Sequence, residues 1–90
     1  MYNLDYTETA KADFQRLKQS EPKAFAKLGR LLEELMDHPR TGTGHPEQLS
    51  GDLSGHWSRR ITKKHRLVYE IRDAQVIVLV ISAYGHYDDK

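Results

Sequence analysis

The apolar residues of this chain change their spacing once, and that change limits what the chain can fold into. In the first half they recur every three or four positions, at Ala10, Phe14 and Leu17 and then at Phe25, Leu28, Leu31, Leu32, Leu35 and Met36. From residue 57 onward they alternate with polar residues. The first spacing is typical of amphipathic helices and the second of half-buried strands. The sequence therefore predicts helices followed by strands.

Short polar stretches mark where these elements begin and end. The segment 2–6 alternates aromatic or apolar with polar residues, which predicts a short first strand. Thr7 follows it and can cap a helix through its hydroxyl. Pro22 suits the first turn of a second helix, which we expect to end near His38-Pro39. These elements form an N-terminal strand and a helical hairpin.

Three strands are predicted after a long loop at residues 40–55, which is rich in Gly, Pro, Ser and Thr. The strands span residues 57–62, 65–72 and 75–83, and their short connections imply antiparallel hairpins. The last is nearly continuous in Val and Ile, as expected for a central strand covered on both faces. The expected fold class is α+β, with the helices packed on one face of a mainly antiparallel sheet.

Size and composition narrow the class of protein further. At 90 residues the chain is expected to form one domain, residues 1–90. It has no cysteine, and its five histidines lack the spacing of a metal site. It has no phosphate-binding glycine loop, no apolar run long enough for a membrane helix and no signal peptide pattern. We therefore expect a cytoplasmic protein without metal or cofactor.

The positive charge is concentrated in one segment. Residues 1–56 carry seven Lys and Arg against nine Asp and Glu, whereas residues 57–90 carry seven against four. Most of the excess lies in residues 59–66. Such a concentration fits binding to a polyanion such as RNA, although a solvated surface hairpin would have the same composition.

Four residues could carry out RNA cleavage with side chains alone. Glu47 could accept the proton of a ribose 2′-OH, Arg66 could stabilise charge on the phosphate, and His86 could protonate the departing 5′ oxygen. Tyr87 offers a ring for an unpaired base. Taken singly, these residues also fit a solvated loop, a surface strand and a terminal tail, so the residues alone leave both interpretations open.

Four stretches together resemble the Txe/YoeB toxins of the RelE-like superfamily. They are Gly44-His45-Pro46-Glu47-Gln48-Leu49, Leu53-Ser54-Gly55-His56-Trp57-Ser58-Arg59-Arg60-Ile61-Thr62, His65-Arg66-Leu67-Val68-Tyr69 and Tyr84-Gly85-His86-Tyr87. The second stretch is the most specific. With the strand and helices before them, the resemblance covers nearly the whole chain and implies a RelE-like, microbial-RNase-like fold.

The resemblance also implies an activity and partners. Such toxins pair with an antitoxin and, once free, cleave mRNA in the ribosomal A site. Glu47 would be the general base, Arg66 the phosphate stabiliser and His86 the general acid, while Tyr87 would position the substrate. The RNA-binding residues would be Arg59, Arg60, Lys63 and Lys64.

The chain departs from the family pattern at three places. His45 and Ser50 stand where family members commonly have lysine, which would either weaken RNA binding or shift it onto Lys63 and Lys64. His45 could instead take part in proton transfer. The chain also continues past the terminal tyrosine with Asp88-Asp89-Lys90.

Two alternatives and several partners follow from these observations. A gyrase-poisoning toxin of the same fold would generally lack the glutamate and the terminal His-Tyr pair. An inactive homologue would only bind its antitoxin or the ribosome. We expect the antitoxin to contribute a disordered acidic segment that covers the basic patch. The toxin itself is expected to be a monomer or a homodimer.

Overall fold

Two helices lie on one face of a five-stranded sheet in the computed structural model, which describes residues 1–85. The elements are β1 (Asn3–Tyr6), α1 (Glu8–Ser20), α2 (Pro22–Asp37), β2 (Glu47–Gln48), β3 (His56–Arg60), β4 (Arg66–Arg72) and β5 (Ile77–Ser82). The strand order is β1-β5-β4-β3-β2. The predicted α+β class is confirmed. His86, Tyr87 and the Asp88-Asp89-Lys90 extension lie outside the described residues.

The first helix begins where the sequence predicts. The Thr7 hydroxyl accepts a hydrogen bond from the backbone N–H of Ala10 at 3.0 Å, which satisfies one of the free donors of the first turn. The same hydroxyl donates to the carbonyl of Ile81 at 2.7 Å. One side chain therefore caps α1 and also fixes it to the end of β5.

The core lies between the helices and the inner face of the sheet. The largest of the deeply buried apolar side chains are Leu17, Leu28, Leu31, Leu35, Ile61, Leu67, Tyr69, Val78 and Val80, each at most 1% exposed. Burying one such aliphatic side chain contributes about 1.5–3 kcal/mol. The leucine stripe of α2 is thus a packing face. Within the described part of the chain, neither helix has the length and apolarity that a bilayer crossing requires.

The first strand pairs with the last one in the chain. β1 runs parallel to β5, with Leu4 opposite Val78 and Tyr6 opposite Val80. Parallel pairing requires a crossover connection, and the helical hairpin provides its first part. The remaining strand pairs are antiparallel, which confirms the prediction for β3 with β4 and for β4 with β5.

Two sequence expectations are wrong in detail. The burial of β5 alternates, with Val78 and Val80 fully buried and Leu79 only partly buried, because both helices cover the same face of the sheet. The predicted loop 40–55 also contains β2 and a short 3-10 turn at Gly51–Leu53. A strand of two residues is too short for alternation to be visible in the sequence.

The double role of Thr7 predicts a measurable cost when its hydroxyl is removed. Thr7→Val should lower the free energy of unfolding by about 1–3 kcal/mol, because it loses both the cap and the bond to Ile81. Thr7→Ser keeps the hydroxyl and should lose less than half of that. Urea denaturation of the three proteins measures the difference. Equal losses in both variants would contradict the hydrogen-bonding role.

Candidate active site on the open face of the sheet

The face of the sheet that the helices leave uncovered carries two of the residues predicted to act in catalysis. Glu47 pairs with Ser58, and Arg60 pairs with Arg66. Directly opposed residues in an antiparallel pair project to the same side, as do residues two apart on one strand. Glu47, Arg60 and Arg66 therefore share one face, opposite to the face that Tyr69 and the rest of the core occupy.

The strand register fixes the spacing of these groups. Glu47 and Arg66 are two strands and two residues apart, which places their Cα atoms roughly 12 Å from each other. Ser58 and Val68 lie between them and are only 1% and 4% exposed, so the base of the site is closed.

The end of the described chain runs beside Arg66. The backbone N–H of Arg66 donates to the carbonyl of Gly85 at 2.9 Å, and its Nη1 donates to the carbonyl of Thr62 at 3.1 Å. Gly85 directly precedes His86 in the sequence. The fold thus places Glu47 and Arg66 on one face of the sheet. It also places Gly85, which precedes the predicted general acid, beside Arg66.

A glycine lets the preceding loop close against β3 and lead into β2. The carbonyl of Gly44 accepts from the backbone N–H of Arg60 at 2.6 Å, and Gly44 has a φ of +87°. A Cβ at this position would come within 2.9 Å of the Arg60 carbonyl, so a side chain there would force the strands apart. His45 follows with a φ of 53° and is exposed, two positions before Glu47 in the sequence.

The burial of Arg59 is at odds with its predicted role in binding RNA. Its side chain is fully buried on the helix side of the sheet. Its guanidinium donates to Glu34 Oε1 at 2.9 Å and Tyr69 Oη at 3.2 Å, and to the carbonyls of His38, Thr41 and Thr43. The sequence contained the signal, because Arg59 alternates in phase with Trp57 and Ile61 and so points into the core.

The other predicted RNA-binding residues have the exposure that such a role requires. Arg60, Lys63 and Lys64 are exposed, and Arg66 is partly exposed. Lys63 and Lys64 lie in the turn between β3 and β4, at the end of the sheet next to the Arg60–Arg66 pair. These residues form a basic edge of the open face, and their contact with RNA stays a prediction.

Glu34 keeps its charge inside the Arg59 network. Its Oε1 accepts from Arg59 and also from the backbone N–H of Thr43 at 2.9 Å. Partial burial by itself would raise the pKa of the Glu34 carboxyl, but the hydrogen bonds from Thr43 and Arg59 more than offset this and lower it. Among residues 1–85 no cluster of three metal-binding side chains occurs.

This fold is that of small bacterial toxins. The YoeB/ParE toxin from Agrobacterium tumefaciens has a TM-score of 0.88 to this chain at 33% identity, over 94% of this chain and 99% of that one. A chain of the YoeB-YefM complex from Staphylococcus aureus has a TM-score of 0.82 at 32% identity, over 97% of this chain and 99% of that one.

Sequence comparison gives the family. Toxin YoeB of Streptomyces coelicolor is 38% identical over 84 residues, which is 93% of this chain and 98% of that protein. The model of the YoeB-like toxin of bacterial type II toxin-antitoxin systems matches residues 6–87. The chain therefore belongs to the YoeB-like toxin family, as the resemblance in its motifs predicts.

The burial of Arg59 predicts a contrast between two neighbouring arginines. Arg59→Lys should lower the free energy of unfolding by about 3 kcal/mol or more, because lysine cannot satisfy the buried acceptors around the guanidinium. Arg60→Lys, on the open face, should change stability by less than about 0.5 kcal/mol. Chemical denaturation measures both. An Arg59→Lys protein of unchanged stability but weaker RNA binding would restore the original prediction for Arg59.

The lowered pKa of Glu34 predicts part of the acid sensitivity of the fold. A carboxylate whose folded-state pKa lies below its usual value of 4.5 stabilises the fold above that value. The contribution is lost as the pH falls through the folded-state pKa. The urea midpoint of Glu34→Gln should therefore be lower at neutral pH and decline less steeply on acidification. Glu33→Gln, one residue away and exposed, is the control, and an equal slope in both variants would refute the assignment.

Proposed function

We propose that this chain is the toxin of a type II toxin–antitoxin system and a ribosome-dependent endoribonuclease that cleaves mRNA in the A site. The observation that carries the proposal is the arrangement of the open face. Glu47 and Arg66 lie on the same face of the sheet with the buried Ser58 and Val68 between them, and the backbone at Gly85 runs beside Arg66. Membership of the YoeB-like toxin family supports the same proposal.

In the proposed reaction Glu47 takes the proton from a ribose 2′-OH, whose oxygen then attacks the adjacent phosphorus. The new bond joins the 2′ oxygen to phosphorus, and the bond to the 5′ oxygen of the next nucleotide breaks. Arg66 stabilises the charge that develops on the non-bridging oxygens, since its planar fork matches phosphate geometry. His86 protonates the leaving 5′ oxygen. Tyr87 positions a base by stacking.

The basic edge would hold the nucleic acid in register. Exposed arginine and lysine side chains bind phosphates regardless of sequence, which suits both messenger and ribosomal RNA. Arg60, Lys63 and Lys64 are the residues that we assign to this task. The exposure of Lys63 and Lys64 is consistent with a larger share of RNA binding where His45 and Ser50 replace lysine.

A cognate antitoxin is the second proposed partner. The similar solved structures include a YoeB-YefM complex, a heterotetrameric YoeB-YefM toxin-antitoxin complex and a YoeB dimer, all from Staphylococcus aureus. We propose that the antitoxin of this chain contributes an acidic segment that binds the basic edge and that the toxin is a monomer or a homodimer. Cleavage on ribosomes would take place in the cytoplasm.

The test is primer extension on a defined mRNA incubated with purified ribosomes and this protein, each omitted in turn. Cuts should require both components. Glu47→Gln and His86→Gln should each slow cleavage by about 10²–10⁴-fold, the usual contribution of a general base or acid. Asp52→Asn is the control in the neighbouring loop and should keep activity within a few-fold, whereas His45→Gln tests the proton-transfer role considered for that residue.

Four results would overturn the proposal or part of it. Intact mRNA with stalled translation would favour an inactive homologue that only binds the ribosome. Undisturbed translation with trapped DNA breaks in a gyrase assay would favour a gyrase poison of the same fold. Full activity in Glu47→Gln would refute its role as the base, and a large loss in His45→Gln would transfer a proton-transfer role to that residue.

A further inference from the structure

A buried histidine lies next to the candidate site without a role in the reaction described above. His65 directly precedes Arg66 and is only 3% exposed. Its Nε2 lies 2.6 Å from Glu21 Oε2, at the start of α2. Its Nδ1 lies 2.8 Å from the backbone nitrogen of Gly85. The imidazole therefore bridges the helical hairpin and the end of the described chain.

The two ring nitrogens have different partners and different tasks. A backbone N–H can only donate, so Nδ1 of His65 must accept the bond from Gly85. Nε2 then carries the hydrogen and donates it to the Glu21 carboxylate. This neutral tautomer satisfies both partners at once, and no other side chain of similar size has an acceptor and a donor at these two positions.

The residues before Gly85 are held by further contacts to the helices. The backbone N–H of Ala83 donates to the buried Asp13 carboxylate at 2.9 Å. The ring of Tyr84 lies 4.5 Å from the His65 ring, and the Arg16 guanidinium lies 3.7 Å from the Tyr84 ring centroid. These contacts fix the path of the chain as far as residue 84, and the bond from Gly85 to His65 is the next one along it.

Both backbone polar groups of Gly85, the N–H and the carbonyl, are hydrogen-bonded. Its N–H donates to His65, and its carbonyl accepts from the N–H of Arg66 at 2.9 Å. Since His65 and Arg66 are consecutive, one short segment fixes both the arginine and the residue that precedes His86. A histidine that served the core alone would need no bond to this particular amide.

We propose that His65 is a positioning residue for the cleavage reaction. By accepting the Gly85 N–H it fixes, beside Arg66, the residue that directly precedes His86 in the sequence. This inference rests on the proposed function. A displacement of about 1 Å in a reacting group can cost about 10²-fold in rate, so a single hydrogen bond at this point is enough to matter.

Two substitutions separate the two bonds of the ring. In His65→Asn, Oδ1 lies where Nδ1 was and can accept from Gly85, while the contact with Glu21 is lost. In His65→Gln the longer side chain reaches Glu21 but has no acceptor near Gly85. We expect His65→Asn to keep kcat within about threefold, and His65→Gln to lose about 30–100-fold in kcat with KM little changed. Urea denaturation should give the two variants similar stabilities.

A second measurement does not depend on activity. NMR should detect a scalar coupling across the hydrogen bond from the Gly85 nitrogen to Nδ1 in the wild-type protein. The Gly85 amide should exchange slowly with solvent in the wild type and in His65→Asn, and quickly in His65→Gln. The NMR measurement remains informative if a variant is too unstable for kinetics, because the coupling in the wild-type protein tests the hydrogen bond by itself.

The outcomes are distinct. No coupling and fast exchange at Gly85 in the wild type would overturn the inference, as would equal kcat in His65→Asn and His65→Gln despite different Gly85 exchange. A wild-type protein that never cleaves mRNA but shows the expected Gly85 pattern would instead overturn the proposed function and leave the bond from His65 to the chain end established.

Discussion

The buried guanidinium of Arg59 is the interaction on which the candidate site depends. A charge taken out of water is tolerated only when its donors are satisfied, and here the Glu34 carboxylate, Tyr69 and three carbonyls of the segment after α2 supply the acceptors. Those carbonyls belong to a stretch with little apolar content of its own to bury. Arg59 therefore orders the approach to Gly44, and through it the placement of Glu47 at the edge of the sheet.

Adjacent arginines on β3 illustrate how one strand can separate stability from ligand binding. Because side chains alternate across a strand, Arg59 points to the helices and Arg60 to the open face. The guanidinium of Arg59 is held by acceptors within the protein, whereas the side chain of Arg60 is exposed. A similar division holds on the segment that follows, where buried His65 precedes partly exposed Arg66. The basic segment 59–66 looks uniform in the sequence, but it contains two kinds of residue. Some are buried and stabilise the fold, and the others are exposed on the open face.

Much of the fold could be predicted because long periodic segments carry their own signal. The cap at Thr7 and the leucine stripe of α2 are local features, and the structure confirms both predictions. The parallel pairing of β1 with β5 was not predicted, because it joins residues more than 70 positions apart, and β2 is too short to show a pattern. For the site, the strand register that places Glu47 and Arg66 on one face could be obtained only from the structure. The burial of Arg59 could have been inferred from the sequence, because Arg59 alternates in phase with Trp57 and Ile61.

The position of β5 between β1 and β4 has a consequence for the order of folding. β1 pairs with β5, so this edge of the sheet cannot form until residues 77–82 have been synthesised. The helical hairpin can form from local contacts before that point, whereas the pairing of β1 depends on residues 74 positions further along the chain. Contacts so distant in sequence slow folding, and we expect the β1–β5 pairing to be among the last parts of the fold to form.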